Sequence, residues 1–315
     1  GEVWALIGGL GSRSIFILLL LNIIILPIMT ARWWFILRLL EAPVSFFAAS
    51  LYRCSSNTAS YLTPGPHFGG EPLLVFYLRQ YHGVAISTAT TSVIVDRLIE
   101  LLASAIVLIL CLVYALGNNI IVPGGWQAAV GVFVWLMPFL WLLGALFFGK
   151  RPFSGFIALV QRIIGKHSSG LFSNQGVLFA GIVQSERLAE SLFRHHPGRF
   201  LTVNILTATH WLGIFTEFWV MAALLGVELS LGQLCVVVVV TRLAFYTPLP
   251  AAIGVLELAL PHVTMVLGLG ASFGLSLCLI IRFRDLVFTL AGLGIAIKYL
   301  TCLGKINNAS KTALK

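Results

Sequence analysis

Five largely apolar stretches, at 14–31, 85–116, 128–148, 200–226 and 271–300, constrain this chain more than any other feature. Each meets or exceeds the about 17–25 residues that a helix needs to cross hydrocarbon. Only 10% of the 315 residues are charged and 59% are hydrophobic, against about 25% charged in a soluble domain. The mean hydropathy is +0.99. A core of ordinary size cannot hide this much apolar surface, so the solvent for most of the chain is lipid. The length suits roughly six to nine membrane segments and leaves no room for a separate soluble catalytic domain. No signal peptide is expected, because the N-terminus has neither a basic region nor a small-residue cleavage site.

Two further apolar regions, 44–81 and 231–269, are each cut in the middle. The first break reads Thr63-Pro64-Gly65-Pro66-His67-Phe68-Gly69-Gly70 and the second Thr247-Pro248-Leu249-Pro250-Ala251-Ala252-Ile253-Gly254. Proline removes a backbone donor and glycine loosens a helix. The 71–80 piece after the first break is too short to span. Irregular backbone at membrane depth must face protein or a watery cavity, so both regions are expected to be re-entrant hairpins.

Charge placement agrees with that reading. With both hairpins returning to their own side, Arg32, Arg38, Arg79, Lys150, Arg151, Arg162, Lys166, Arg187, Arg194, Arg199, Lys298, Lys305, Lys311 and Lys315 all fall on one face. The opposite loops, 117–127, 227–230 and 268–270, contain no Lys or Arg. This is the positive-inside pattern, and it places the basic side in the cytoplasm of a multi-pass inner-membrane protein. The net charge of +9 is explained the same way, so nucleic acid is not an expected partner. The basic 150–199 segment reads either as one or two amphipathic helices on the cytoplasmic face or as a solvated connector.

The two breaks also match each other. Thr63 and Thr247, Pro64 and Pro248, Pro66 and Pro250, and Gly70 and Gly254 are paired at an offset of 184. Gly83 and Gly268, Ser87 and Ser272, Arg97 and Arg282, and Glu100 and Asp285 follow at 185. In the topology above, the first hairpin enters from the cytoplasm and the second from outside. The halves, about 14–148 and 200–300, thus read as inverted-topology repeats within a single transmembrane domain spanning 1–315. Inverted repeats with broken helices are a transporter signature.

Charges inside apolar segments are costly and mark function by default. Asp96, Arg97, Glu100, His210, Glu217, Arg282, Arg284 and Asp285 lie in expected spans. Arg53, Glu71, Arg242, Glu257 and His262 lie in the hairpins. A purely structural role would be mutual pairing, Arg97 with Glu100 or Arg282 with Asp285 at i,i+3. The functional alternative is a central polar cavity at the repeat interface. Its arginines present forked donors suited to phosphate. Gly69, Gly70 and Gly254 would leave backbone N–H groups free at half-helix N-termini, which favours an anion. Glu71 and Glu257 sit in the first turn after each break, as helix caps, as contacts for a cationic headgroup or as proton carriers.

The cysteines Cys54, Cys111, Cys235, Cys278 and Cys302 form no CxxC pair. His67 and the His195-His196 pair are simplest as polar loop residues. No metal or cofactor is expected, and there is no GxSxG, HExxH or P-loop. Asn308-Ala309-Ser310 matches a glycosylation sequon, a pattern common by chance.

The run 61–72 (Tyr-Leu-Thr-Pro-Gly-Pro-His-Phe-Gly-Gly-Glu-Pro), followed by Val95-Asp96-Arg97-Leu98-Ile99-Glu100, resembles the first signature of the lysylphosphatidylglycerol synthase transmembrane-region family, also called flippase-like domain proteins. Ala31-Arg32-Trp33 is similar to its Arg-Trp at the end of an early helix. The run 247–257 (Thr-Pro-Leu-Pro-Ala-Ala-Ile-Gly-Val-Leu-Glu) resembles its second signature, and Arg282 its later arginine. The resemblance covers about 32–297. The family commonly has Pro-Gly-Gly where this chain has Pro250-Ala251-Ala252. Some members join the membrane domain to a soluble aminoacyl transferase; the resemblance here implies the translocating part alone. Substrates differ across the family.

The expectation is therefore an all-α polytopic membrane protein that binds a phospholipid or polyprenyl-phosphate headgroup and moves it between leaflets. Arg97 and Arg282 would contact phosphate, with Arg53, Arg242 and Arg284 behind them. Asp96, Glu100, Glu217 and Asp285 would orient those arginines or meet a cationic headgroup. Two alternatives stay open. One is a membrane enzyme, or enzyme subunit, using an acid such as Glu71 or Asp96. The other is a small-anion or proton-coupled transporter. The expected partner is an anionic lipid, with a lipid-modifying enzyme and a second copy of the chain left open as protein partners.

Overall fold

The computed structural model describes residues 3, 8, 11–63, 69–118, 120 and 197–313, with side chains at 198 and 201–301 in the last stretch. The 64–68 part of the first break, the 121–127 loop, the expected span at 128–148, the connector to 196, and the side chains of Arg199, Lys305, Lys311 and Lys315 lie outside them. The described residues form eight α-helices and one short 3-10 turn, with no strand. The helices are α1 (Ser12–Leu39), α2 (Phe46–Leu62), α3 (Glu71–His82), α4 (Ile86–Gly117), α5 (Pro197–Leu224), α6 (Leu231–Phe245), α7 (Val255–Val266) and α8 (Ala271–Ala313).

Local chemistry sets the helix starts. The Ser45 hydroxyl accepts from the Ala48 N–H at the head of α2, 3.2 Å. Ser230 and Gln233 cap each other's backbone N–H at the head of α6. Gly83 and Gly268 have φ of 63° and 75°, the left-handed turn that resets the chain before α4 and before α8.

The element positions repeat. The 28-residue helices α1 and α5 begin at Ser12 and Pro197. The 12-residue helices α3 and α7 begin at Glu71 and Val255. The helices α2 and α6 begin at Phe46 and Leu231, and α4 and α8 at Ile86 and Ala271. Each pair of starts is 184 or 185 positions apart.

The chain divides into two compact units. The first holds Gly1–Thr30, Ser45–Tyr77 and Ile214–Lys315. In it α8 packs on α2 and on α7, and α6 packs on α7. Small residues permit the close crossings. A Cβ at Gly292 would stand 2.1 Å from Thr58 Oγ1 and 2.5 Å from the Cys54 carbonyl of α2. At Gly274 it would stand 2.6 Å from the Leu260 carbonyl of α7. The Thr58 hydroxyl also donates to the Thr289 carbonyl, 3.2 Å. Tyr52 and Tyr77 stack at 4.9 Å between ring centres, with Tyr299 edge-on to Tyr52 at 5.3 Å.

The second unit holds Ala31–Val44 and Leu78–Gly213. Its described core is Ile36, Val95, Ile99 and Val203, with Phe35 and Leu40 against it. Trp33 is fully buried and donates to the Ser92 hydroxyl, 3.3 Å.

The outward surface identifies the solvent. Along α8, Leu275, Leu279, Phe283, Leu286, Leu290, Leu293, Ile297 and Leu300 are all exposed. Their spacing of three and four residues makes one continuous helical stripe. The inward face of the same helix carries Leu277, Ile281, Arg282, Arg284 and Asp285, buried or half-buried. A water-soluble helix does the reverse. Both α1 and α4 are long and apolar enough to cross a membrane. The other two expected spans form helices of 28 and 43 residues, α5 and α8, and carry Glu217 and the Arg282–Asp285 charges within them.

Candidate functional site

Three guanidinium groups organise the charged residues. In the second unit, Arg32 on α1 donates through Nε to Asp96 Oδ1, 2.7 Å, and through Nη1 to Glu100 Oε2, 2.5 Å. Asp96 and Glu100 lie four residues apart on α4, one above the other on the same helix face, which is why one arginine reaches both. Arg32 and Asp96 are each only 1% exposed. Arg32 was expected as a flanking base at a helix exit. Instead α1 continues to Leu39, and Arg32 is buried inside it as an ion-pair partner.

In the first unit, Arg282 of α8 clasps the second break. Its Nε donates to Glu257 Oε1, 2.7 Å. Its Nη1 reaches the Tyr61 hydroxyl, 3.2 Å, and the Ala251 carbonyl. Its Nη2 reaches the Ala252 carbonyl, 3.2 Å. All three nitrogens of Arg282, expected as a phosphate contact, are engaged by protein, and they turn to Glu257 and the break, not to Asp285 as mutual pairing at i,i+3 would have it. Glu257 meanwhile accepts from the Gly254 N–H through Oε2, 2.7 Å. It is both the cap of α7 and the counter-charge of Arg282.

The break itself is held in a left-handed conformation. Ala251 has φ 52° and ψ 16°, and Ala252 has φ 53°. These are the positions where the resembling family commonly has glycine. A left-handed L-residue costs roughly 1–2 kcal/mol, so the carbonyls at 251 and 252 are held toward Arg282 against local strain.

Arg284 is the third group. Its Nη1 donates to Glu217 Oε1 on α5, 2.5 Å, and its Nε and Nη2 both donate to Asp285 Oδ1, 2.9 and 2.7 Å. The Asn22 side chain of α1 donates to the same Glu217 oxygen, 2.7 Å. Asp285 Oδ2 is buried with no hydrogen-bond partner.

The remaining expected residues are placed as follows. Arg53 is buried mid-way along α2, Arg242 is half-buried in the last turn of α6, and Glu71 opens α3. Arg97 is half-buried on α4, in the second unit with Asp96 and Glu100. Gly69 and Gly70 are required by space: a Cβ there would stand 1.7 Å from Thr63 Oγ1 and 1.9 Å from the Ser56 carbonyl. The expectation of free N–H groups is corrected at Gly70 and Gly254. Gly70 donates to the Ser60 hydroxyl, 2.9 Å, and Gly254 to Glu257. The structure therefore joins Asp96 with Glu100, Glu257 with Arg282, and Glu217 with Arg284 and Asp285. It adds Arg32, Asn22 and Tyr61, which were not expected as site residues. Asn22, a polar residue inside an apolar run, was the readable signal for one of them. Among the described residues no group of three or more His, Cys, Asp or Glu could hold a metal ion.

Comparison with known proteins places the chain among membrane proteins. The family model described as the lysylphosphatidylglycerol synthase TM region matches residues 1–292. A UPF0104 membrane protein of Methanothermobacter thermautotrophicus is 25% identical over 310 residues, covering 95% of this chain and 87% of that protein. No solved structure matches.

Proposed function

Because this chain belongs to the lysylphosphatidylglycerol synthase transmembrane-region family, a lipid-related family of membrane proteins, we propose that it is a lipid translocase for an anionic headgroup. The observation that carries this reading is the two-faced α8. One stripe meets lipid, and the other holds Arg282, Arg284 and Asp285 away from it. Ionised groups kept inside apolar helices are expensive and are retained for a polar cargo. A guanidinium already held by carboxylates exchanges one set of anionic oxygens for another when a phosphate arrives, so little solvation is lost. Arg284 and Arg97 are the proposed phosphate contacts, with Arg53 and Arg242 behind them. Arg282 braces the second break through Glu257 and the 251 and 252 carbonyls. Asp96 and Glu100, held by Arg32, keep the corresponding part of the second unit charged and ordered.

The architecture we infer is a pair of inverted repeats, each with a re-entrant broken hairpin, in a multi-pass protein of the cytoplasmic membrane. The equal spacing of the helix starts supports it. So does the charge pattern. Position 32 carries arginine and position 217 glutamate, and each reaches charged residues on the fourth helix of its own half. The sign is swapped at that position, while Arg97 and Arg282, and Glu100 and Asp285, keep theirs.

The test is lipid exchange. Purified protein is reconstituted into liposomes with labelled phosphatidylglycerol, its lysyl form or polyprenyl phosphate, and the accessible fraction of each is followed with time. Faster exchange of one lipid, lost in Arg284→Ala and Arg97→Ala, supports translocation and names the class. No exchange of any lipid by folded protein moves the weight to an enzyme or enzyme subunit that modifies headgroups.

A further inference from the structure

We propose that the Arg284 cluster binds a proton, held on Asp285 Oδ2, and that this proton is what opens Arg284 to an anionic headgroup. The proton site stands on the geometry of the first unit. Its coupling to transport rests on the translocation reading above.

The charge count comes first. Around Asp285 stand Arg282, Arg284 and Cys278 on its own helix, Glu217 on α5 and Tyr61 on α2, with Glu257 of α7 on Arg282. Fully ionised, that is three carboxylates against two guanidinium groups. Arg282 is committed to Glu257 and the break, so Arg284 alone serves both Glu217 and Asp285. The side chains of Glu217, Asp285 and Arg284 are 5%, 12% and 16% exposed. Two carboxylates sharing one buried cation do not both stay ionised cheaply, and one proton removes the excess negative charge.

The geometry then places that proton. Nε and Nη2 of Arg284 both donate to Oδ1 of Asp285, and Oδ2 is buried without a partner. An ionised carboxylate spreads its charge over both oxygens and leaves neither bare when buried. A carboxylic acid is asymmetric: its carbonyl oxygen accepts, and its other oxygen carries the hydrogen. Oδ1, which takes both donors, is placed to be the carbonyl, and Oδ2 is the oxygen left to take the hydrogen. Glu217 is less suited: its Oε1 likewise takes two donors, from Asn22 and Arg284, but no buried oxygen without a partner is left on its carboxyl.

The consequence is a coupling mechanism. A proton from the aqueous phase adds to Oδ2, and Asp285 becomes neutral. Its hold on Nε and Nη2 of Arg284 weakens from a charged contact to an ordinary hydrogen bond. That edge of the guanidinium becomes available to a phosphate, and the new O–H offers it a further donor. When the headgroup leaves, Asp285 releases the proton to the water on that side and takes the edge back. Anion and proton thus travel together, and a pH gradient drives the lipid.

The test is infrared difference spectroscopy of the full chain in nanodiscs, titrated with pH. A C=O stretch of a protonated carboxyl is expected in the wild type, absent in Asp285→Asn and moved to a different frequency in Asp285→Glu. The same carboxyl bands in wild type and Asp285→Glu overturn the proposal, whether or not Asp285→Asn folds. In liposomes, an imposed pH gradient is expected to accumulate labelled phosphatidylglycerol in one leaflet. If the band is assigned to Asp285 and no lipid moves, the proton site stands and the translocation reading falls. If lipid exchanges without regard to the gradient and no Asp285 band exists, this inference alone falls.

Discussion

Arg284 lays two of its nitrogens, Nε and Nη2, on a single oxygen of Asp285, its neighbour in sequence. Adjacent residues on a helix point in different directions, so the contact needs both side chains to bend toward one point. Glu217 on α5 supplies the reason, because it holds the third nitrogen, Nη1, and fixes where the guanidinium sits. The strength of this triangle comes from burial, and it sets the first expected outcome.

Arg284→Ala leaves Glu217 and Asp285 buried without their cation. Breaking a buried ion pair from one side costs about 3–5 kcal/mol. A matching drop in thermal stability is expected in detergent. Adding Glu217→Gln and Asp285→Asn to the same chain should recover part of it, because the stranded charges are then gone. A stability unchanged in Arg284→Ala would mean that the cluster holds little of the fold.

Arg32→Ala should behave alike in the second unit, with a loss of about 3–5 kcal/mol, since Asp96 is as buried as Arg32 itself. Arg32→Lys should recover only part of this. Lysine carries the charge but is a point donor and does not reproduce the fork that meets Asp96 and Glu100 separately. Thermal unfolding of the three proteins side by side gives the order wild type, lysine, alanine.

Ala251 and Ala252 hold left-handed conformations that glycine adopts without strain. Each single change to glycine relieves roughly 1–2 kcal/mol of strain and gives back about 0.5–1 kcal/mol in chain entropy. A gain of about 0.5–1 kcal/mol each is expected. Ala252→Val should be destabilising by more than either glycine gains, because a β-branched residue is poorly suited to positive φ.

Two glycines on α8 make a controlled pair. Gly292→Ala drives a methyl into Thr58 and the Cys54 carbonyl, so α2 and α8 must part, at a cost of about 1–3 kcal/mol. Gly294→Ala meets nothing within 4 Å and is expected to be neutral or to stabilise the helix by up to about 1 kcal/mol. Equal effects at the two positions would contradict the close crossing.

Much of the helix order was legible in the sequence because its signals are local. The apolar stretches at 14–31, 85–116, 200–226 and 271–300 became α1, α4, α5 and α8, with ends displaced by a few residues except at 31 and 300, where the helices run on to Leu39 and Ala313. Pro248, Pro250 and Gly254 interrupt the α6–α7 region where the break was expected. Arg32 was misjudged for a local reason too. It sits at the end of the apolar run, where a flanking base is ordinary, and only the continuation through Trp33, Ile36 and Leu37 buries it.

The sequence by itself determined that this chain lives among lipids, that it is helical, where two of its helices break, and which charges lie inside apolar segments. Composition, periodicity and backbone chemistry act over a few residues and need no partner to be read. Only the tertiary structure decided which charge meets which. Arg282 and Asp285 are one helical turn apart, yet Arg282 goes to Glu257 and Arg284 goes to Asp285 and Glu217. Local spacing limits a side chain to a cone of directions. In a low-dielectric interior, the choice within that cone is made by whichever counter-charge another helix brings to it.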